Sequence, residues 1–548
     1  MAENNRKMTY LYFANLGDDN AMELVSQTGA REAVLLSAPG AARRSLEAAR
    51  SISSKGLPLA ADNANTAVIF QIAREFVDRA AELYQERLAS GAAALPAALP
   101  AALQGFMHEV TPLPPEPEEP ILERGLEASA LLHARLLEMG ITPGADGAPV
   151  QPSFARGLAP TPLAKPIPAK LRAKFRALAR DVAMRCCAAA TDERQQQALS
   201  AQASVSPDFF TCLEDLTIPI LVQLEVEPEY TGLRRSELVG WQESGLALAA
   251  GVLAGRHGPT QGIPYATLHA FDYDGAFQVG ARAADIAGLE GIATGLASFM
   301  LDRNYISFYR AKGRRIWVRD RKNIPQRYIR ALLVTMGFVN GFASKRGAMP
   351  RFHGLGAGAP IALPLLALAA YGSPLLSVDS TAPEKNASIG KLFVSKPAPL
   401  TVSVDKIAQA LVEERQSWDC PCPACAAIQA ELPFDLPAAR KYYRQHIAPR
   451  PIDNRDLEDA EGIGRFLSLL WETRSQPWKR KINLARVNHS HWAMTDIVRE
   501  LREHSGSYGQ MREWVGQVCQ AYNATTTPVY ALQIEECLRL IDRLRPAG

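Results

Sequence analysis

The chain has 548 residues, 47% of them hydrophobic and 21% charged, enough apolar content for one large domain with additions or for two or three smaller ones. Its formal net charge of +3 neither demands nor rules out a polyanionic partner, and no apolar run reaches the roughly 18 residues that span a bilayer. The N-terminal Met-Ala-Glu-Asn-Asn-Arg-Lys lacks the apolar core of a secretory signal, and three of the eight cysteines crowd into Cys420, Cys422 and Cys425, so the expectation is a cytoplasmic protein with no membrane contact and with metal-bound thiols rather than disulfides.

The predicted elements begin with a strand over Thr9 to Ala14, a helical stretch, and a second strand at Ala33 to Leu36. Leu57 to Ala61 reads as a third strand that delivers Asp62 at its C-terminal end, and Thr66 to Ala89 carries helical periodicity. Residues 90–206 change character. Ala/Pro repeats and a Pro-Glu segment mark linkers, and Lys170 and Arg172 open a basic amphipathic helix that runs to Arg185, which is either a nucleic-acid contact or an ordinary solvated face. The alternation resumes with Phe209 to Leu213, Ile218 to Val226, a helix near Ser236 to Gly251, Tyr265 to Ala270, a helix around Ala281 to Ala287, and Gly291 to Gly295. Arg327 to Phe342, Ile361 to Tyr371 and the apolar step Leu375 to Val378, ending at Asp379, complete it.

Repeated strand–helix units without a dinucleotide-binding glycine fingerprint predict an α/β fold, specifically a (β/α)8 TIM-type barrel with large insertions and a C-terminal zinc-binding subdomain. The expected divisions are 1–89 for the first part of the barrel, 90–206 for the insertion, 207–410 for the rest of the barrel and 411–548 for the zinc-binding, helical subdomain. In such a fold, groups at strand C-termini share one mouth.

Cys420-Pro-Cys-Pro-Ala-Cys425 is the strongest local signal, because a C-x-C-x2-C knuckle aims three thiolates at one tetrahedral ion with little chain strain. A histidine is the usual fourth ligand, and His446, His489 and His491 lie downstream. Four protein ligands leave no open position for water, so the single zinc ion would be structural.

The stretch from Ser377-Val-Asp379 through Pro383, Asn386 and Gly390 to Leu392-Phe393 resembles the tRNA-guanine transglycosylase sequence F-D-C-V-L-P-T-R-N-A-R-N-G-T-L-F. The cysteine knuckle follows in the family's order, and His353-Gly-Leu-Gly356 resembles the glycine motif that precedes the nucleophile strand. Leu59-Ala-Ala-Asp62-Asn63 is similar to the family's T-D-S-G-G segment, Pro207 to Asp215 to P-D-I-I-M-A-F-D-E, and Gly291 to Ala297 to G-Y-A-I-G-G-L-A. The resemblance implies Asp379 as nucleophile and Asp62 as acid/base. It implies base contacts from Asn63, Glu214, Thr294, Gly295 and Leu296, and it puts His269 where the family reads the base carbonyl. Val487-Asn-His489-Ser-His491-Trp492 resembles the family's H-N-L segment, which makes His489 the first choice for the fourth zinc ligand, His491 the second and His446 the third.

The chemistry suits these residue types. A carboxylate can capture the oxocarbenium-like C1′ covalently as guanine leaves, and a second carboxyl can move the proton that departure and return require.

Two departures bear on the substrate. Where the tRNA enzymes carry base-reading arginines, this chain has Lys385, an expected nucleic-acid contact, and Ser388. A basic, aromatic run, Tyr309 to Lys322, follows the base-contacting strand and offers Arg310, Lys312, Arg314 and Arg315 to phosphates and Tyr309 or Trp317 to an unpaired base. Both features resemble the DNA-guanine transglycosylases that insert a 7-deazaguanine such as 7-cyano-7-deazaguanine. The implied partners are therefore DNA, that free base, and other proteins of a DNA-modification system, with oligomeric state open. The alternatives are a divergent tRNA-guanine transglycosylase acting on tRNA and a non-catalytic, zinc-stabilised nucleic-acid-binding subunit.

Overall fold

The structure, a computed structural model, describes residues 9–15, 33–37, 43–54, 57–62, 199–200, 202–205, 207–211, 235–255, 262–296, 299–300, 304–407, 420–431 and 476–545. Asn63, Lys170, Arg172, Glu214 and His446, with the helices expected over Thr66 to Ala89 and Lys170 to Arg185 and the strand expected over Ile218 to Val226, lie outside the described residues.

Six strands appear in turn along the first part of the chain: β1 (Thr9–Asn15), β2 (Val34–Ser37), β3 (Leu59–Asp62), β4 (Phe209–Thr211), β5 (Ile263–Thr267) and β6 (Gly291–Gly295). Four short strands then form small antiparallel pairs: β7 (Tyr305–Ile306) with β10 (Ile324–Pro325), and β8 (Phe308–Ala311) with β9 (Arg314–Trp317). β11 (Arg351–Leu355) and β12 (Leu375–Ser380) return to the main sheet, and β13 (Lys391–Val394) and β14 (Leu400–Ser403) make a further antiparallel pair.

The main sheet is parallel throughout and curls on itself. Its ladder runs β1–β12–β11–β6–β5–β4–β3–β2, and β2 returns to β1 through Ala14 opposite Val34, which closes the ring. Alternation along each strand explains why the ring has two cores. Leu11, Phe13, Ala33, Leu35, Ala60 and Leu375 form one inner cluster, and Tyr265, Ala293 and Leu355 another. Their neighbours in sequence, among them Tyr10, Tyr12, Ile292, Leu376 and Val378, join the outer core under the helices.

The helices are α1 (Arg43–Ser54), α2 (Arg235–Leu253), α3 (Tyr273–Ala283), α4 (Arg327–Arg346), α5 (Ala362–Ala369), α6 (Ala382–Ser388), α7 (Pro423–Glu431), α8 (Gln476–Glu503), α9 (Tyr508–Thr525) and α10 (Pro528–Leu544). The helix expected around Ala281 to Ala287 starts earlier, because the Asp272 side chain accepts a hydrogen bond from the Gly275 N–H and caps it there. α3 and α4 meet along glycines: a Cβ at Gly341 would lie 2.0 Å from the Phe277 carbonyl oxygen, and one at Gly280 2.4 Å from that of Phe338.

Leu199 and Val205, assigned to the insertion, belong to the main core, and Gln202 Nε2 donates to the Ala61 carbonyl of β3 at 3.1 Å. The C-terminal helices share the same core, and Arg502 of α8 donates to the Tyr10 carbonyl of β1 at 2.6 Å. Among the described residues, no helix is long and apolar enough to cross a membrane.

Candidate active site and metal centre

Because every strand of the ring is parallel, their C-terminal ends open on one side. Asp379 sits there on β12, opposite Phe13 of β1 in register, and only 8% of it is exposed. Its Oδ1 accepts a hydrogen bond of 2.9 Å from the Gly356 N–H, just past β11. His353 of β11 brings Nε2 to 3.4 Å from the same oxygen, while its Nδ1 lies 2.8 Å from Ser377 Oγ. The imidazole is itself buried and meets the rings of Phe13 and Tyr265 edge-on. Sequence reasoning named His353 only as part of a glycine motif. Its position two residues before the end of a strand, where the inner face meets the mouth, was the available signal.

Asp62 is the last residue of β3, paired in register with Ser37 of β2, so it ends its strand on the same side of the ring as Asp379. Gly295 ends β6 two residues beyond Ala293, on the inner-face alternation. Thr294 falls on the opposite, fully buried face. Leu296 gives its N–H to the Leu355 carbonyl at 2.8 Å and its side chain to the outer core, so of the stretch expected to contact a base Gly295 is the residue on the inner alternation. His269 is fully buried, with its carbonyl accepting from Gln242 Nε2, and burial pushes its imidazole down to about 3. It is a neutral ring at physiological pH.

Past the aspartate, Ser380 and Pro383 lead into α6, which carries Lys385. Burial pushes the Lys385 ammonium below its ordinary value, so it is a poorer solvent-facing cation than the sequence suggested. α6 is fastened from outside the ring by α8. His491 is fully buried, with Nδ1 3.0 Å from the Tyr12 hydroxyl of β1 and Nε2 3.1 Å from Glu384 Oε1. Next to it, the Ser490 hydroxyl accepts from the Phe393 N–H of β13 at 3.2 Å.

One residue earlier on α8, His489 completes the cysteine cluster. Its Nδ1 lies 3.3 Å from Cys420 Sγ, 3.5 Å from Cys422 Sγ and 3.4 Å from Cys425 Sγ, and all four donor atoms fall within 4.8 Å of one another. A tetrahedral zinc ion with ordinary Zn–N and Zn–S bonds sets nitrogen and sulfur about 3.5 Å apart, so the donor set and its spacing fit such an ion. The cluster is buried apart from the partly exposed Cys420. Hydrogen bonds from Cys422 and Cys425 hold the Cys420 thiol well below its ordinary value. Burial alone would lower His489, but its bonds to Cys420 and Cys422 outweigh that and lift it to about 9. The group can hold a metal ion, with His489 rather than His491 as the fourth ligand.

The basic run between β6 and α4 belongs to a connection on the mouth side. β8 and β9 form a hairpin whose two-residue turn, Lys312 and Gly313, has positive φ at both positions, the geometry that matches strand twist. The turn rests on α3, where the Gly313 N–H donates to Asp274 at 3.0 Å. One hairpin face is packed: Tyr309, Ala311 and Ile316 are buried, and the Tyr309 hydroxyl donates to Glu536 of α10 at 2.9 Å. Tyr309 is thus unavailable for the stacking role expected of it. The other face pairs Phe308 with Trp317 and Arg310 with Arg315, and the Arg315 guanidinium lies 4.5 Å from the Phe308 ring centroid. Trp317 is 40% exposed, and Arg310, Lys312, Arg314 and Arg315 are exposed with it. Among the described residues, Arg319 is paired with Glu535 and Arg539 with Glu536, while no ion pair engages those four cations.

Compared with protein-family models and with curated proteins, the chain matches none.

Proposed function

We propose that this protein is a guanine transglycosylase built on a complete (β/α)8 TIM-type barrel, exchanging guanine in DNA for a 7-deazaguanine such as 7-cyano-7-deazaguanine. The observation that carries the reading is Asp379: a carboxylate held by a backbone N–H at the open end of a closed parallel ring, on the segment that resembles the family's nucleophile.

In the first half-reaction Asp379 bonds to C1′ as the C1′–N9 bond breaks, and its electron pair leaves with guanine, which takes a proton from Asp62. In the second, Asp62 accepts the N9 proton of the incoming base, N9 attacks C1′, and the ester bond returns its electrons to Asp379. Gly295 leaves room at the mouth for a flat heterocycle, and Glu214 and Asn63 would read its edge. Cys420, Cys422, Cys425 and His489 would hold zinc. With all four positions protein-filled, the ion supplies folding energy and no reactive water.

The hairpin supports a nucleic-acid substrate. Its exposed face sets an aromatic pair beside two arginines, which suits phosphate contact together with stacking on an unpaired base. A guanine stacked in duplex DNA must leave the helix to reach such a mouth, and a stacking surface on the mouth side favours that exchange.

The test is incorporation of labelled 7-cyano-7-deazaguanine into duplex DNA, single-stranded DNA and tRNA, with Asp379→Ala as control. Label in DNA that depends on Asp379 is the expected result. Label in tRNA alone would reassign the substrate, and full activity of the variant would remove Asp379 from the mechanism.

A further inference from the structure

We propose that His353 is a positioning residue for Asp379, using a fixed N–H to hold one carboxylate oxygen so that the other meets the sugar; this rests on the base-exchange reading above. His353 is 5% exposed, and its Nε2 has no hydrogen-bond acceptor at normal range. What it faces is Asp379 Oδ1, 3.4 Å away.

The other ring nitrogen decides what Nε2 can do. Nδ1 is 2.8 Å from Ser377 Oγ, and a serine hydroxyl can either donate or accept. If Nδ1 carried the proton, Nε2 would turn a lone pair toward an ionised carboxylate. The favourable arrangement has the Ser377 hydroxyl donating to Nδ1 and Nε2–H directed at Asp379. Three residues from two adjacent strands then form a chain, Ser377 to His353 to Asp379, fixed by the register that sets His353 beside Ser377.

Two donors converge on Oδ1, the Gly356 N–H at 2.9 Å and the His353 N–H. Oδ2 is thereby the oxygen left to bond C1′. When the ester forms at Oδ2, Oδ1 becomes its carbonyl oxygen. When the ester breaks, the electron pair of the C1′–Oδ2 bond returns to a carboxylate whose charge the same two donors receive. His353 neither gains nor loses a proton over the cycle. A separation of 3.4 Å exceeds an ordinary N–H···O bond, and catalytic hydrogen bonds that are long without substrate commonly tighten when it binds.

The experiment has two arms. In the first, the full-length protein and its His353→Leu, His353→Gln, Ser377→Ala and Asp379→Ala variants are mixed with a guanine-containing DNA duplex or with tRNA, without incoming base. The rate constant for forming the covalent adduct is read on denaturing gels, with thermal unfolding and zinc content checked for each. Adduct formation takes charge off Oδ1, so the donor acts there by holding Oδ2 in line with C1′, and a carboxylate freed to turn lowers the rate on the order of 10²-fold. His353→Leu should show that loss at an unchanged half-saturating nucleic-acid concentration and zinc content, and His353→Gln, whose amide N–H reaches a similar place, should recover most of it. An adduct forming at the wild-type rate in a folded His353→Leu protein would overturn the role while leaving base exchange intact. No adduct from the wild-type chain with either nucleic acid would overturn both. The second arm needs no activity: ¹⁵N NMR of the imidazole should show the Nε2-protonated tautomer, changing in Asp379→Asn, and a Nδ1-protonated neutral ring would refute the assignment.

Discussion

Replacing His491 with leucine should cost the protein a few kcal/mol and none of its zinc. The side chain is fully buried, and among the described residues it meets the Tyr12 hydroxyl at 3.0 Å and Glu384 Oε1 at 3.1 Å. Leucine fills a similar volume, so the change is chiefly the loss of these two hydrogen bonds. A neutral hydrogen bond contributes about 0.5–1.5 kcal/mol and one to a charged group about 1.5–3 kcal/mol. The Glu384 side chain is 24% exposed, so water recovers part of the second loss, and the sum settles at about 2–3 kcal/mol. Thermal unfolding of the metal-loaded protein, with zinc measured on the same samples, is the assay. Loss of one zinc equivalent from His491→Leu would place that histidine in the metal site and refute the division of labour along α8. An unchanged unfolding temperature would refute the hydrogen-bond reasoning.

Cys422→Ser should lose zinc and unfold at lower temperature, since the hard hydroxyl is a poor substitute for a thiolate; stoichiometric zinc in that variant would reject the ligand set. Arg310→Gln with Arg315→Gln should weaken DNA binding and flatten its dependence on log salt by about one unit of slope for each phosphate no longer neutralised, whereas an unaltered slope would show that the hairpin does not touch phosphate. His269 is a neutral ring when folded, its imidazole lowered to about 3 by burial. The unfolded chain therefore binds the extra proton, and stability falls as pH drops below about 6.5, by at most about 1.4 kcal/mol per pH unit, until the folded value is reached. His269→Leu should lessen that acid dependence, and urea titrations between pH 7 and pH 4 that show the same loss of stability in both proteins would contradict it.

Most strands of the ring were legible because each is a short apolar run ending in a polar or glycine residue, as Leu375 to Asp379 and Gly291 to Gly295 are. The start of α3 was not, since it is set by the Asp272 side chain closing on a backbone N–H, which apolar periodicity does not report. The three cysteines were readable from spacing, and the resemblance ranked His489 above His491, but the physical reason came only with the helix: residues two apart on a helix point about 200° away from each other, so one ion cannot use both. The partners of Asp379 were hidden for another reason. His353 stands beside it through pairing of β11 with β12, and nothing in either strand alone states that register. Tyr309 was misplaced because a hairpin has two faces, and the packed one is chosen by α10, more than 200 positions away.

The closure of the ring has a consequence for how the protein is made. β1 lies between β2 and β12, so the strand carrying Asp379 docks against a segment some 366 positions earlier, Phe13 against Asp379. During synthesis, β1 must wait with one edge unpaired while everything between is translated, and the residues that fasten the next segment, on α8, emerge later still. No shorter nascent chain can assemble Asp379 with its supports. Any activity that depends on Asp379, the proposed base exchange included, is thus withheld from the ribosome-bound protein by topology alone, and a chain cut off before β12 would leave β1 as an open edge for other chains to pair with.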